Sequence, residues 1–158
     1  MIILGIDPGP VTSGVVILVG GKIEATAAAM QNEVLAAMVA VGQMTGGDGY
    51  ARWALDLVAC ETMQAAYDTI GASTIQTMMW AGEFRHARRP YPWMELTRQK
   101  VKHLVCGRTN VGDPEVRKAL IDRFGRVGTK AMPGPTYGVT SHAWSALAVA
   151  VAAMMGKS

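Results

Sequence analysis

The sequence has few cysteines, few charges and no long uninterrupted apolar run, and each shortage excludes a class of protein. The two cysteines, Cys60 and Cys106, lack CxxC spacing, which excludes a disulfide framework and predicts free thiols in a reducing, cytoplasmic environment. Charged residues make up 17% and hydrophobic residues 50% of the chain, a composition that excludes a disordered protein. The longest nearly apolar run, residues 143–155, is too short to span a bilayer.

The N-terminal apolar stretch has no basic region before it, so we expect no signal peptide. The 158 residues are long enough for one sizeable core. We therefore expect a single domain over residues 1–158.

Acidic residues are missing from the end of the chain, and basic residues are scarce in its first half. No Asp or Glu follows Asp122, and residues 1–84 carry two cationic residues against eight acids, a net charge of −6. Residues 85–130 carry twelve of the 15 Lys and Arg residues against four acids, a net charge of +8. This separation predicts a polyanion-binding surface next to a metal-binding region. The alternative is that helices in the basic segment present solvated faces.

Hydrophobic patterns and turn residues predict strands and helices in alternation. Strands are predicted at residues 2–7, 14–19, 22–29 and 55–60, with a short fifth strand in RRPYPWMEL at 88–96. Helices are predicted after an Asn32 cap, from Ser73, over 97–105, from an Asp113-Pro114 cap to Gly125, and from Thr140 or Ser141 to about Met155. Residues 45–52 are predicted as a loop. A hairpin portion followed by helix-connected strands predicts an α/β fold with a mixed sheet.

Two acidic residues, Asp7 and Glu61, stand where predicted strands end. Sites in open α/β sheets gather beyond such strand ends, and the two side chains converge if their strands are neighbours. Two hard oxygen ligands form a reasonable cradle for a divalent cation. The alternative places Glu61 in a loop and makes Asp7 an Asx-turn residue before Pro8.

Four segments of the sequence resemble the RuvC family of Holliday-junction resolvases, within the ribonuclease H-like nucleases. They are ILGIDPGPVTSGVVIL at 3–18, VACETMQ at 58–64, RQKVKHLVCG at 98–107 and SHAWSALAVAVA at 141–152, in the family's order. The resemblance implies a five-stranded mixed sheet flanked by helices. It also implies a bacterial or phage-type endonuclease that resolves branched DNA by paired nicks, in the cytoplasm of a bacterial or infected host cell.

The resemblance further implies a catalytic set of five residues. Asp7 matches the carboxylate that bridges two divalent cations, Mg²⁺ or Mn²⁺, and Glu61 matches the second carboxylate. His142 and Ser145 match two positions on the last helix, with His142 a metal ligand, and Lys102 matches a basic residue close to the scissile phosphate. A homodimer acting on a four-way junction is implied, with no membrane and no nucleotide cofactor.

The sequence departs from the family pattern at Ser145, where the family has an aspartate. Residues three apart share a helix face, so His142 and Ser145 could still point together at the metals. An imidazole ligand favours Mn²⁺ over Mg²⁺. The alternative for His142 is a first-turn histidine hydrogen-bonded near the helix start, and Ser145 is better explained as a packing residue. The missing carboxylate keeps open a second function, a junction-binding protein with weak or lost cleavage.

The basic segment is predicted to bind DNA phosphates, which position a protein without reading sequence. The candidates are Arg85, Arg88, Arg89, Arg98, Lys100, Arg108, Arg117 and Lys118. Phe84, Tyr91 and Trp93 lie among them and either stack at an opened branch point or pack in the core. The helix around Met78, Met79 and Trp80 forms either a dimer face or part of the core.

Overall fold

A computed structural model describes residues 1–45, 52–63 and 70–156 of the chain. Its strands are β1 (Ile2–Asp7), β2 (Thr12–Val19), β3 (Lys22–Gln31), β4 (Gln43–Thr45), β5 (Arg52–Ala54), β6 (Leu57–Thr62) and β7 (Trp93–Thr97). Its helices are α1 (Asn32–Val41), α2 (Ala72–Arg88), α3 (Arg98–Cys106), α4 (Asp113–Phe124) and α5 (His142–Gly156). No helix within these described ranges has the length and apolar character needed to cross a membrane.

The main sheet has five strands in the order β3-β2-β1-β6-β7. The first three strands are antiparallel neighbours, whereas β1–β6 and β6–β7 are parallel pairs. Gly20 and Gly21, with φ of 56° and 82°, make the tight turn between β2 and β3 that L side chains rarely adopt. The predicted five-stranded mixed α/β sheet is confirmed, including adjacency of the first strand and the strand ending near Glu61.

The sheet separates two hydrophobic clusters. One contains alternate residues of β1 and β2 with Leu35, Val39 and Phe84 from α1 and α2. The other contains the opposite faces of the same strands, parts of α3 and α4, and almost all of α5. Helix α5 is rich in alanine because it lies flat on the sheet: a Cβ added at Gly5 of β1 would stand 2.3 Å from the Ala146 carbonyl oxygen. Glycine at this strand position therefore sets the close approach of helix and sheet.

Several predicted boundaries differ from the structure. The fourth predicted strand begins two residues later, as β6, and runs through Glu61. Asn32 is the first residue of α1 and makes no cap hydrogen bond; it is fully buried and its side chain serves another contact. Gly112, rather than Asp113, is the N-cap of α4, because the Glu115 carboxylate accepts a hydrogen bond from the Gly112 amide at 3.0 Å.

The end of α1 and the residues near the predicted 45–52 loop form a feature that the sequence pattern missed. Strands β4 and β5 pair as a two-stranded sheet, with Met44 opposite Trp53. Met44 is buried against the first cluster. Most of the predicted loop, residues 46–51, lies outside the described residues.

Candidate functional site

Asp7 and Glu61 lie side by side because sheet register places them there. Strands β1 and β6 are parallel, with Ile6 opposite Cys60, so the next residue on each strand is an acid at the same sheet edge. Adjacent strands are about 4.8 Å apart, and residues in register point to the same face. Asp7 and Glu61 line one cavity of about 290 Å³ with Pro8, Gly9, Pro10, Met63, Ser73, Thr74, Thr77 and His142. The predicted convergence of the two acids is confirmed.

His142, the first residue of α5, contacts Asp7. Its Nδ1 lies 2.9 Å from Asp7 Oδ2, and an ionised Asp7 accepts a hydrogen bond from that nitrogen. The contact depends on Gly14, the partner of Asp7 in β2, because a Cβ at Gly14 would lie 2.4 Å from the His142 carbonyl oxygen. The first turn of α5 is closed by backbone carbonyls, with the Ala143 amide donating to Thr140 at 2.9 Å.

Arg98 joins Glu61 to a third carboxylate. It follows β7, which is paired in parallel with β6, so it emerges at the same sheet edge. One guanidinium nitrogen lies 3.2 Å from Glu61 Oε2, and another donates to Asp113 Oδ1 at the start of α4. The Thr97 hydroxyl caps α3 by accepting a hydrogen bond from the Lys100 amide at 3.2 Å, which fixes the turn that carries Arg98.

A buried polar pair holds the loop that follows Asp7. Ser13 Oγ donates to Asn32 Oδ1 at 2.6 Å, and Asn32 Nδ2 donates to the Gly9 carbonyl at 2.9 Å. Both side chains are almost completely buried. The Asn32 amide also donates to the Val11 carbonyl at 3.1 Å. Because these groups have no access to water, the network fixes one conformation of the loop that lines the cavity.

Burial makes the two strand-end carboxylates reluctant to ionise. It raises the pKa of Asp7, against which the hydrogen bond and charge interaction with His142 act. It also raises the pKa of Glu61, which the Arg98 charge lowers and the Asp7 charge raises further. Burial likewise raises the pKa of the neighbouring Cys60 thiol, which is an inert core residue.

The donors at this edge fit a divalent cation in their chemistry. Two carboxylates that are buried and repel each other gain from a cation placed between them, and carboxylate oxygens are the ligands Mg²⁺ prefers. Within the part of the chain that the structure describes, no three His, Cys, Asp or Glu side chains are already arranged around a metal position. A site of this kind relies on water and substrate phosphate for its remaining ligands, as Mg²⁺ sites usually do.

Two of the five expected catalytic residues stand apart from the Asp7 cavity. Ser145 lines a neighbouring cavity of about 510 Å³ whose walls include Arg98 and Asp113, so His142 and Ser145 line different cavities. Lys102 lies on α3 one turn after Arg98 and is half-buried. At this edge of the described structure, the cation in contact with Glu61 is Arg98.

Seven of the eight predicted DNA-binding residues divide into three groups. Lys100, Arg108, Arg89, Arg117 and Lys118 are exposed, and Arg117 lies 4.7 Å from the centroid of the Trp144 ring. Arg85 is exposed and paired with Glu95 at 3.0 Å. Arg98 is held at the carboxylates.

Arg88 is not available to DNA. It is 2% exposed, and it donates to the Leu55 carbonyl at 2.6 Å and stacks over Tyr91 at 4.9 Å. Its place in the predicted DNA-binding set is therefore corrected to a structural one, which the charge pattern could not distinguish because a buried arginine and a surface arginine look alike in sequence.

The structure distinguishes core from surface positions among the aromatic residues and methionines whose roles the sequence left open. Phe84 is fully buried and stacks on Trp80, so it is a core residue. Trp93 is half-buried and packs against the first cluster, whereas Tyr91 is 56% exposed. The two methionines of α2 are not core: Met78 and Met79, with Ile75, are exposed.

Sequence reasoning missed Arg98 and Asp113 as members of this site. The sequence pattern places Arg98 on the DNA-binding surface and Asp113 at a helix cap. One signal was available: Arg98 lies two residues after the strand predicted in 88–96, close to the strand-end positions that identify Asp7 and Glu61. The meeting of Asp113 with Arg98 depends on how α4 packs beside α3, which no local pattern reveals.

Comparison with known proteins supports the fold. No protein-family model matches the sequence, and no curated protein sequence matches it. Among solved structures, Thermus thermophilus RuvC is similar with a TM-score of 0.67 and 19% identity, over 99% of this chain and 95% of that chain. T. thermophilus RuvC in complex with a Holliday junction substrate gives a TM-score of 0.67 and 20% identity, over 99% and 94%. The chain therefore has the ribonuclease H-like α/β fold seen in RuvC.

Proposed function

We propose that this chain is a divalent-cation-dependent endodeoxyribonuclease that resolves Holliday junctions or other branched DNA by paired nicks. The observation that carries the proposal is the convergence of Asp7 and Glu61 on adjacent parallel strands beside a cavity. The fold supports it, and one similar structure is a RuvC in complex with a Holliday junction substrate. The proposed setting is the cytoplasm of a bacterial or infected host cell.

Asp7, Glu61 and His142 are the residues that would hold the cation. A bound Mg²⁺ or Mn²⁺ supplies charge stabilisation at the phosphate and an activated water. The chain itself holds the two carboxylates by sheet register and the loop after Asp7 by the Asn32 network. His142 orients Asp7 through its Nδ1 contact. The resemblance implies two cations, with Asp7 shared between them.

The exposed cations of residues 85–118 are the proposed track for the DNA backbone. They are Arg85, Arg89, Lys100, Arg108, Arg117 and Lys118. Lysine and arginine neutralise phosphates and release counterions, so junction binding should weaken steeply with salt. Arg117 and Lys118 line the same cavity as Arg98, which connects this track to the carboxylates.

The exposed apolar row on α2 supports a homodimer. Ile75, Met78 and Met79 are each at least 43% exposed, and Gly82 on the same helix leaves open space where a side chain would be. A four-way junction offers two equivalent strands, which a two-fold dimer cuts symmetrically. Substituting Met79 by Glu should convert a dimer to monomers in sedimentation analysis.

The proposal is tested with a labelled four-way junction in Mn²⁺, comparing wild type with Asp7→Asn. Wild type should produce paired, symmetric nicks, whereas Asp7→Asn should bind the junction without cutting it. A linear duplex of the same sequence is the substrate control. Cleavage of the duplex and the junction at equal rates would contradict structure selectivity, and cleavage by Asp7→Asn at the wild-type rate would reject the site.

A second function, junction binding with weak or lost cleavage, is favoured by one observation. Ser145 replaces the carboxylate expected on α5, and it lines the neighbouring cavity rather than that of Asp7. The same experiment separates the two functions. A retarded junction complex without nicks at saturating Mn²⁺ would establish the binding protein.

A further inference from the structure

The Arg98 guanidinium lies between the carboxylates of Glu61 and Asp113. The proposed metal site gives this cation no role. Arg98 reaches Glu61 with one nitrogen and Asp113 with the other, so one guanidinium bridges two carboxylates from different elements. The Arg98 side chain is 28% exposed, so it is partly withdrawn from water while still open to a ligand. A guanidinium that donates hydrogen bonds through two of its nitrogens is held in one position, unlike a mobile surface charge.

Ser145 lies in the same cavity as this bridge. The cavity of about 510 Å³ is lined by Arg98 and Asp113 on one side and by Ser141, Trp144 and Ser145 of the α5 region on another. The position on α5 that lacks a carboxylate therefore faces a space that already holds a guanidinium and its own carboxylate partner. Because residue 145 is a serine, α5 offers no further carboxylate to pair with Arg98.

The net charge of these side chains also matches in magnitude that of one divalent cation. Asp7, Glu61 and Asp113 with Arg98 leave a net charge of −2, which one divalent cation neutralises. A second divalent cation at Glu61 would have to displace a guanidinium that is bonded to two carboxylates. The Arg98 charge lowers the pKa of both Asp7 and Glu61 against burial, so its field reaches both strand ends.

We propose that Arg98 takes the place of one of the two metal ions, so that the site works with a single divalent cation and a fixed guanidinium. This inference rests on the proposed nuclease function. Arg98 donates hydrogen bonds to a non-bridging oxygen of the scissile phosphate and stays protonated throughout. The water oxygen bonds to phosphorus as the P–O3′ bond breaks, one water proton passes to solvent, and the leaving 3′ oxygen takes a proton from solvent. Asp113 is a positioning residue that holds the guanidinium.

Metal counting tests the proposal without relying on activity. Mn²⁺ is titrated calorimetrically into the intact protein, alone and with a four-way junction whose bridging 3′ oxygens are replaced by methylene groups. Wild type should bind one Mn²⁺ per chain in the site. Arg98→Ala should bind two, because Glu61 and Asp113 then lack their shared cation. Lys22→Ala removes an exposed cation at the start of β3 and should leave the count at one.

Cleavage provides the second readout. Arg98→Ala should lower the single-turnover rate on the order of 10²–10³-fold, the usual loss when one positioned donor is removed. Arg98→Lys keeps the charge without the fork and should recover part of the rate at an unchanged Mn²⁺ count. Asp113→Asn should lower the rate with the urea midpoint unchanged, which a merely structural role would not produce.

The outcomes separate the two proposals. Two Mn²⁺ per wild-type chain with junction bound, together with normal cleavage, would overturn the role of Arg98 and leave the nuclease intact. Wild-type cleavage rates in both Arg98→Ala and Asp113→Asn would also overturn it. Equal Mn²⁺ affinity in wild type and Asp7→Asn, with no cleavage by either, would instead reject the nuclease itself.

Discussion

Replacing Gly14 by alanine is expected to push α5 away from the sheet and to separate His142 from Asp7. A Cβ at this position would lie 2.4 Å from the His142 carbonyl oxygen and 2.7 Å from its Cβ. Since ordinary contacts begin near 3.5 Å, the helix start must move by about 1 Å. The 2.9 Å contact between Asp7 and His142 would then lengthen beyond hydrogen-bond range.

Two quantities follow from this displacement. Overpacking of a tight contact costs about 1–3 kcal/mol of unfolding free energy, a large part of the total for a small domain. Loss of a partner that orients a metal ligand weakens metal binding by about 10–100-fold. Gly14→Ala should therefore lose stability and Mn²⁺ affinity together.

Urea unfolding and Mn²⁺ titration measure the two quantities. The matched control is Gly71→Ala, because a Cβ at Gly71 meets nothing within 4 Å. The control should change stability by less than about 1 kcal/mol and leave Mn²⁺ affinity unchanged. If Gly14→Ala stays within about 0.5 kcal/mol of wild type and binds Mn²⁺ equally well, the close approach of α5 does not position His142.

Three further predictions concern the same edge of the sheet. Cleavage should be faster in Mn²⁺ than in Mg²⁺ at matched saturation, and His142→Ala should remove the preference; equal wild-type rates would argue against an imidazole ligand. Burial raises the pKa of Asp7, so the stability this group contributes is present at low pH and is lost as pH rises through its folded-state pKa. Asp7→Asn should therefore be more stable than wild type in urea at neutral pH and lose that advantage at acid pH; an advantage that grows on acidification would reverse the sign of the argument. Asn32→Ala removes the acceptor of the Ser13 O–H and the donor to the Gly9 carbonyl and should cost about 1–3 kcal/mol, measured by thermal unfolding, while Glu33→Ala on the exposed side of α1 should be near neutral.

The sheet and the placement of Asp7 and Glu61 at one of its edges could be predicted from the sequence. Apolar runs ending at Asp7 and just before Glu61, with turn residues between them, carry enough information to predict strands and their shared edge. The Gly20-Gly21 turn identified the hairpin for the same local reason. These features depend on patterns among residues close together in the sequence, and the structure confirms them.

What the sequence could not predict depends on packing between distant elements. Arg88 and Arg98 belong to one basic segment, yet one is buried against the Leu55 carbonyl and the other bridges two carboxylates. Asn32 has the residue type of a helix cap, but its side chain is required at Gly9, 23 residues earlier. In each case a tertiary contact decided the role of a side chain whose local preference indicated another.

The parallel register of β1 and β6 has a consequence for how this edge can change. Successive side chains on a strand face opposite sides, so inserting one residue within β6 would turn the Glu61 carboxylate to the other layer of the molecule. Exchanging a side chain at a fixed position leaves the register of the strands unchanged. Substitutions at this edge can therefore change which side chains bind a ligand or balance its charge. The distance between the strand ends that carry them stays the same.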